Sequence, residues 1–205
     1  ALDSRLSAAL MGLQVLITNI KLWPLSGTVL YVRDLALELQ RQGHTPTVFS
    51  STIGEVVDEL RDSGITVTGN LGRVRTKPDI IHGHQHASTL VAIRHGPAVP
   101  AIFVCHSHES RDDMAPIHPS IRRYFGVSRV CVQRLVHDGV PDNRAELLPN
   151  FVDTVRFSPR APLPERPGRA LVFSNYADAK SHLPAVVEAC HEAGLELDVI
   201  GAGVG

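Results

Sequence analysis

The chain contains few of the residues that mark several protein classes. Its 205 residues include three cysteines and one tryptophan, and aromatic residues make up only 5%. Three scattered cysteines are too few for a disulfide framework or a thiolate zinc site. No apolar run approaches the roughly 18 residues that a membrane span needs. With no basic leader before a long apolar stretch, the sequence predicts a cytoplasmic protein without a transmembrane segment.

An excess of charge of either sign is also missing. The chain has 20 basic and 21 acidic side chains, a formal net charge of −1. A nucleic-acid partner is therefore disfavoured, because binding a phosphate backbone needs a concentrated positive surface. Hydrophobic residues make up 43% of the chain, which excludes a disordered protein and suffices for a packed core.

Short aliphatic runs alternate with amphipathic stretches along the first 150 residues. Val29, Val32, Ala36 and Leu39 recur at the spacing of one helix face, and Gly43 suits the helix end. Strands are predicted at residues 13–18, 45–50, 65–68, 79–82, 101–105, 124–127 and 146–148. Further helices are predicted at residues 55–63, 88–95 and 128–137. This alternation predicts an α/β fold with a doubly wound, Rossmann-like parallel sheet.

The composition changes at Pro149. Five prolines, Pro149 included, stand in residues 149–168, a stretch with little periodicity, which predicts a linker at residues 151–168. A Rossmann-like domain is thus expected at residues 12–150 and a second domain at residues 169–205. The second has strands predicted at 170–174 and 195–200 and a helix at 183–193. One β-α-β unit is too small to bury its own core, so we expect a fragment of a longer protein.

Polar residues follow the predicted strands where each strand ends. They are Asn19, Ser26, Gly27, His82, His84, His86, His106, His108, Glu109 and Ser128. Because ligands of open parallel sheets bind outside the carboxyl ends of the strands, we expect these residues to gather along one edge. Ser26 and Gly27 also precede the first helix, where free N–H groups can hold a phosphate or carboxylate. Alternatively, Ser26 only caps the helix and Gly27 only permits a tight entry. A dinucleotide or P-loop site is disfavoured, because neither glycine motif is present.

Eleven histidines are unusually many for this length. In an extended strand His82, His84 and His86 would share one face, a spacing that can bind zinc and predicts a metallohydrolase as one alternative. The aspartate of an H-x-H-x-D-H pattern is missing, so hydrogen bonding across a cleft is the competing interpretation. His106 is suited to donate to a sugar hydroxyl or a departing phosphate, or else to be a buried, hydrogen-bonded histidine.

Several motifs together resemble one enzyme family. Residues 148–153 (LPNFVD), followed by Phe157 and Pro159, resemble the P-N-x-V-D and F-x-P signature between the domains of retaining group 1 glycosyltransferases, which have the two-domain GT-B fold. Similar landmarks stand in the same order, at Gly43-His44, at residues 77–82 (KPDIIH), at residues 104–106 (VCH) and at residues 126–128 (GVS). The resemblance runs from about residue 13 to the end.

The resemblance implies roles for individual residues. Ser26 and Gly27 match the glycine-rich loop that closes on donor phosphate and acceptor, where Ser26 replaces the usual glycine. His106 matches the histidine near the reacting sugar, and Asn19, His82 and Ser128 are expected on the substrate side. On the donor side Lys180 and Gly201 are expected to bind the nucleotide sugar. The family's arginine before Lys180 is missing here, and its E-x7-E segment is not found in the sequence.

The resemblance implies a transferase that moves a sugar from a nucleotide-diphosphate sugar to a hydroxyl acceptor with retention of configuration. It needs no cofactor and no metal. The alternative is an inactive or truncated glycosyltransferase-like domain that binds an acceptor or partner. Nothing in the residues indicates an oligomeric state.

Overall fold

The computed structural model describes residues 12–23, 26–54, 56–162, 165–173 and 182–201. It divides into two compact units, Ala1–Phe151 and Val152–Gly205. Among the described helices, none has the length and apolar character that crossing a bilayer requires. The linker and domain boundaries expected from composition stay predictions.

The first unit is built on a seven-stranded sheet. Its strands are β1 (Gln14–Lys21), β2 (Thr45–Thr52), β3 (Thr66–Thr68), β4 (Ile80–His84), β5 (Ala101–Cys105), β6 (Ile121–Gly126) and β7 (Ala145–Leu147). Its helices are α1 (Gly27–Arg41), α2 (Val56–Asp62), α3 (His86–His95) and α4 (Arg129–His137). The strand order is β3-β2-β1-β4-β5-β6-β7, and every pairing is parallel. The α/β, Rossmann-like prediction is therefore confirmed.

Helices cover both faces of this sheet, because the strands carry apolar side chains on both sides. One buried cluster joins Val15 and Ile17 of β1 to Val29, Val32 and Ala36 of α1. The predicted apolar stripe of α1 is therefore the one that packs. The opposite cluster includes Leu16, Phe103, Tyr124 and residues of α3 and α4. Gly43, just past the end of α1, has φ +86°, a conformation that favours glycine.

Four strands differ from the sequence prediction by two or three residues at one end. β1 ends at Lys21 and β2 at Thr52, three and two residues beyond their predicted ends. β4 continues to His84, two residues beyond the predicted end, before Gln85 reverses the chain with φ +64°. β6 begins at Ile121, three residues before the predicted start. The first half of β6 was not predicted because it contains two consecutive exposed arginines, Arg122 and Arg123. A half-buried strand is recognised by alternating polar and apolar residues, and these two break that pattern.

The second unit contains β8 (Arg169–Phe173), α5 (Leu183–Glu192) and β9 (Glu196–Ile200). β8 and β9 pair in parallel over their whole length. Leu171, Phe173 and Ile200 are each more than half exposed. These elements match the predicted β-α-β unit to within one residue at each end.

Gly126, at the end of β6, is the glycine whose replacement tests this packing. A Cβ there would lie 2.5 Å from the backbone nitrogen of Val132 and 2.8 Å from the carbonyl carbon of Cys131, both in α4. Because helix backbone cannot give way as a flexible side chain does, Gly126→Ala is expected to lower the free energy of unfolding by about 1–3 kcal/mol. Urea denaturation measures the change.

Gly27→Ala is the matched control. It also lies at an element end, but a Cβ there meets no atom of the described residues within 4 Å. The free energy of unfolding should stay the same or rise by up to about 1 kcal/mol, since alanine favours a helix more than glycine. Equal effects at both glycines would contradict the close approach of α4 to β6.

Candidate active site

The predicted strand exits lie side by side. β1, β4, β5 and β6 are neighbours and parallel, so their carboxyl ends share one edge of the sheet. His106 directly follows β5, and the N–H of Val127 donates to the carbonyl of Cys105 at 3.1 Å. Ser128 therefore follows β6, the strand next to β5, after which His106 stands.

Three histidine side chains meet near this edge. Nδ1 of His82 lies 3.0 Å from Nε2 of His84, and Nδ1 of His84 lies 2.8 Å from Nε2 of His106. His82, His84 and His106, here called the three-histidine cluster, are thus joined by two imidazole–imidazole hydrogen bonds. His84 in the middle is fully buried, whereas His82 and His106 are partly exposed.

The alternation of β4 places the first two rings on one face. His82 and His84 are two residues apart, so both project to the side on which Ile80 packs with the α1 cluster. Gly83 faces the other way, where a Cβ would lie 2.6 Å from the side chain of Thr89 in α3. A small residue between the two histidines therefore lets α3 approach the sheet.

Tyr31 of α1 packs against this cluster. Its ring meets His84 edge-on with the centroids 5.4 Å apart, and His106 edge-on at 4.8 Å. Phe151 packs on the same tyrosine at 5.0 Å. Tyr31 lies one turn after Gly27, so the first turn of α1 lies close to the three-histidine cluster.

Burial keeps the three rings neutral at physiological pH. Removal from water lowers the pKa of His82 to about 4, helped by the charge that His106 would carry, and lowers the pKa of His106 to about 4. Desolvation, followed by the neighbouring histidines, lowers the pKa of His84 well below its usual range. An uncharged imidazole carries one N–H, so each ring can donate at one nitrogen and accept at the other.

The single face of His82, His84 and His86, on which the alternative zinc site depended, is not formed, because His86 lies outside β4. His86 is the first residue of α3, and its Nδ1 hydrogen-bonds the carbonyl of Met114 at 3.1 Å. The turn at Gln85 separates His86 from the other two histidines. The side-chain oxygen of Gln85 accepts a hydrogen bond from the N–H of Ile20, which fixes the turn. Among the described residues, no group of three or more potential ligands is arranged to hold a metal ion.

At the start of α1, Ser26 caps the helix. Its hydroxyl accepts from the N–H of Val29 at 3.4 Å, as the capping interpretation predicted. The N–H groups of a first turn have no partner inside the helix. Among the described residues, a Cβ on Gly27 would meet nothing within 4 Å. This combination leaves room for an anion at the helix start.

Two other predicted binding residues have local structural partners. Asn19 is 1% exposed and donates from Nδ2 to the carbonyl of Lys21 at 2.9 Å, while its Oδ1 is buried without a partner among the described residues. Ser128 is exposed and caps α4, accepting from the N–H of Cys131 at 3.3 Å. Substrate roles for both stay predictions.

The donor-side residues belong to the second unit. Lys180 lies outside the described residues, together with the segment 174–181 that carries it. Gly201 is described and follows β9 with φ +154°. Their roles also stay predictions.

Sequence reasoning missed Tyr31 and Asp113. Asp113 is 4% exposed and accepts from the backbone N–H of His106 at 2.9 Å, which fixes the chain where it leaves β5. Burial raises the pKa of this carboxyl, although the bond from His106 opposes the change. The only sequence signal for Tyr31 was a polar-tipped ring beside the apolar stripe of α1.

Two other features of this unit do not join the site. Burial, with a smaller contribution from the neighbouring Cys131, raises the pKa of Cys105 to about 12, so its thiol is not a nucleophile at neutral pH.

A cavity of about 400 Å³ lies at the opposite edge of the sheet, lined by residues before β4 and β5, such as Lys77 and Pro97. None of the predicted site residues lines it.

Comparisons with solved structures find proteins of similar fold. A glycosyltransferase from Rickettsia africae is 14% identical with a TM-score of 0.59, and the match covers 94% of this chain and 69% of that one. HepE of Anabaena, solved with UDP-glucose, is 14% identical with a TM-score of 0.55, covering 93% and 69%. The lipopolysaccharide outer core galactosyltransferase WaaB is 13% identical with a TM-score of 0.60, covering 94% and 69%.

At these identities the structures show the fold, the Rossmann-like parallel sheet of GT-B glycosyltransferases. No curated protein sequence matches the chain. The family model of Glycosyltransferase Family 4 matches residues 25–156, more than half of the chain and most of the first unit. Since this match spans α1, β4, β5 and the three-histidine cluster, the chain belongs to glycosyltransferase family 4.

Proposed function

We propose that the full-length protein transfers a sugar from a nucleotide-diphosphate sugar to a hydroxyl acceptor with retention of configuration. The family match over residues 25–156 carries the proposal. UDP-glucose is the first donor to test, because the structurally similar HepE was solved with it. The reaction is proposed to need neither a metal nor a cofactor.

The first unit supplies the acceptor side of this reaction. The first turn of α1 offers N–H groups and the positive end of the helix dipole to a phosphate, close to the three-histidine cluster. Fixed donors of this kind stabilise the charge that develops as the bond to the diphosphate breaks. Lys180 of the second unit is proposed to contribute a further positive charge.

His106 is the proposed catalytic residue. It follows β5 at the ligand-binding edge, is partly exposed, and is neutral because burial lowers its pKa to about 4. A neutral imidazole can accept the proton of the acceptor hydroxyl or donate to a sugar oxygen. Tyr31 packs on its ring, and Asp113 accepts a hydrogen bond from its backbone N–H.

Nucleotide release tests the proposal without knowledge of the acceptor, because water can replace it. The full-length protein is incubated with UDP-glucose, UDP-galactose, UDP-N-acetylglucosamine or GDP-mannose, and released nucleotide diphosphate is measured. We expect release from one donor, unchanged by chelator, and NMR of the first-formed sugar should show the donor's anomeric configuration.

Each part of the proposal has its own contradicting outcome. Release from none of the donors would favour a domain that binds without catalysis. An inverted first product would overturn retention, and loss of activity with chelator would overturn metal independence. A variant at Lys77, which lines the cavity at the opposite edge, is the matched control and should leave release unchanged.

A further inference from the structure

The two hydrogen bonds of the three-histidine cluster must have the same donor-to-acceptor direction along the cluster. His84 is buried and neutral, so its single N–H serves one of its two imidazole neighbours and its lone pair serves the other. Only two arrangements satisfy both bonds when all rings are uncharged. Either every ring carries its proton on Nε2, or every ring carries it on Nδ1.

These two arrangements differ at the ends of the cluster. With all protons on Nε2, His106 presents a free lone pair at Nδ1 and His82 presents an N–H at Nε2. With all protons on Nδ1, His106 presents the N–H and His82 the lone pair. Among the described residues no other residue hydrogen-bonds either end nitrogen, and neither nitrogen belongs to the buried atoms that lack a partner. Both ends are therefore open to an outside partner.

We propose that the three-histidine cluster is a proton relay, in which His82 and His84 act as positioning residues for His106 and carry the acceptor's proton to solvent. This inference rests on the proposed function. A relay explains why three imidazoles form a hydrogen-bonded series at this site instead of a single imidazole.

The relay moves one proton in and one proton out. The acceptor O–H bond breaks and its proton binds Nδ1 of His106, whose Nε2 proton passes to Nδ1 of His84. The Nε2 proton of His84 passes to Nδ1 of His82, and the Nε2 proton of His82 leaves to water. The acceptor oxygen then bonds the anomeric carbon, and the bond from that carbon to the diphosphate breaks with its electron pair on the diphosphate.

The return step restores the first arrangement. The departing diphosphate takes the proton from Nδ1 of His106, the two internal protons move back, and His82 regains a proton from water. All three rings are neutral before and after each passage. A single buried histidine acting as base would instead become an imidazolium, which this environment disfavours.

The relay is tested in the full-length protein with His82→Phe, which removes the end nitrogens but keeps a ring in place. His82 is partly exposed, so this change disturbs packing less than a change at the buried His84. With UDP-glucose hydrolysis as the assay, kcat is expected to fall about 10²-fold or more, the range of acid–base catalysis, with KM within about twofold. His137→Phe, exposed in α4, is the control and should leave kcat unchanged.

Two measurements separate a relay from a purely structural role. In mixtures of H₂O and D₂O the wild-type kcat should depend on deuterium content along a curve, because several protons move together, and His82→Phe should remove that curvature. Nitrogen NMR of the rings should show His106 as one neutral tautomer in the wild type. In His84→Phe it should be a mixture of tautomers.

The relay is overturned if His82→Phe retains kcat within about twofold and the same dependence on deuterium. An unchanged His106 tautomer in His84→Phe would overturn it too, and should that variant fail to fold, His82→Phe alone decides. If the wild type hydrolyses none of the tested donors, the proposed function fails and the relay's part in transfer fails with it. NMR in that case still shows whether the one-way hydrogen bonds exist.

Discussion

Acidification from pH 7.5 to pH 5 is expected to lower the free energy of unfolding of the first unit by several kcal/mol. The three-histidine cluster causes this loss. Burial holds the pKa of His82 and His106 at about 4, and that of His84 well below its usual range. In the unfolded chain the same imidazoles bind a proton at their ordinary pKa of about 6.5.

The sign follows from proton counting. Between about pH 6.5 and pH 4 the unfolded state binds more protons than the folded state, so stability rises with pH across this window. The contribution is fully present above about pH 6.5 and is lost as the pH falls toward 4. Each ring accounts for up to about 2 kcal/mol between pH 7.5 and pH 5, at about 1.4 kcal/mol per pH unit.

Other titratable groups touch the cluster. Tyr31 packs on it, and burial raises the pKa of its hydroxyl, so it stays neutral throughout this window. Burial also raises the pKa of Asp113, which bonds the backbone of His106. The stability contributed by a carboxyl with a raised pKa is lost as the pH rises from about 4. Asp113 therefore changes the free energy of unfolding with pH in the direction opposite to that of the histidines. The imidazoles dominate because there are three of them.

His84→Phe isolates one of these rings. Urea denaturation at pH 7.5 and pH 5, followed by circular dichroism and by the fluorescence of Trp23, gives the loss for wild type and variant. Trp23 is the only tryptophan and belongs to the first unit, so its signal reports that unit. The wild type should lose about 2 kcal/mol more than His84→Phe. Equal losses would mean that His84 takes up a proton on acidification as readily in the folded protein as in the unfolded chain.

The fold was predictable because its signals are local. Apolar spacing located α1, and the aliphatic run at Ala101–Cys105 gave β5 with the observed limits. Parallel pairing then follows from the alternation of strands and helices. The position of His106 at the carboxyl edge of the sheet follows from the same two facts, so the sequence alone predicts it.

The interior of the site was not predictable, because it depends on contacts between distant residues. The bond between His84 and His106 joins residues 22 positions apart and requires the observed register of β4 and β5. The reversal at Gln85, which separates His86 from the other two histidines, depends on a side-chain bond to Ile20 in another strand. Residue spacing alone therefore suggested a metal cluster where the structure has paired imidazoles.

His106→Ala is expected to lower the kcat of UDP-glucose hydrolysis by about 10²–10⁴-fold, the usual contribution of a positioned acid or base. The loss should come from chemistry rather than folding, because Asp113 bonds the backbone N–H of residue 106, a group that alanine keeps. His137→Ala, on the exposed side of α4, is the matched control and should retain wild-type kcat.

Rescue by free imidazole separates a chemical role from a packing role. His106→Ala removes a ring that packs against both Tyr31 and His84, and imidazole is small enough to fill that space. Added imidazole should raise the variant's kcat in a saturable manner, whereas benzene, which fills the same space without nitrogen, should not. Equal rescue by both would make His106 a packing residue. Wild-type activity in unrescued His106→Ala would exclude His106 from the reaction.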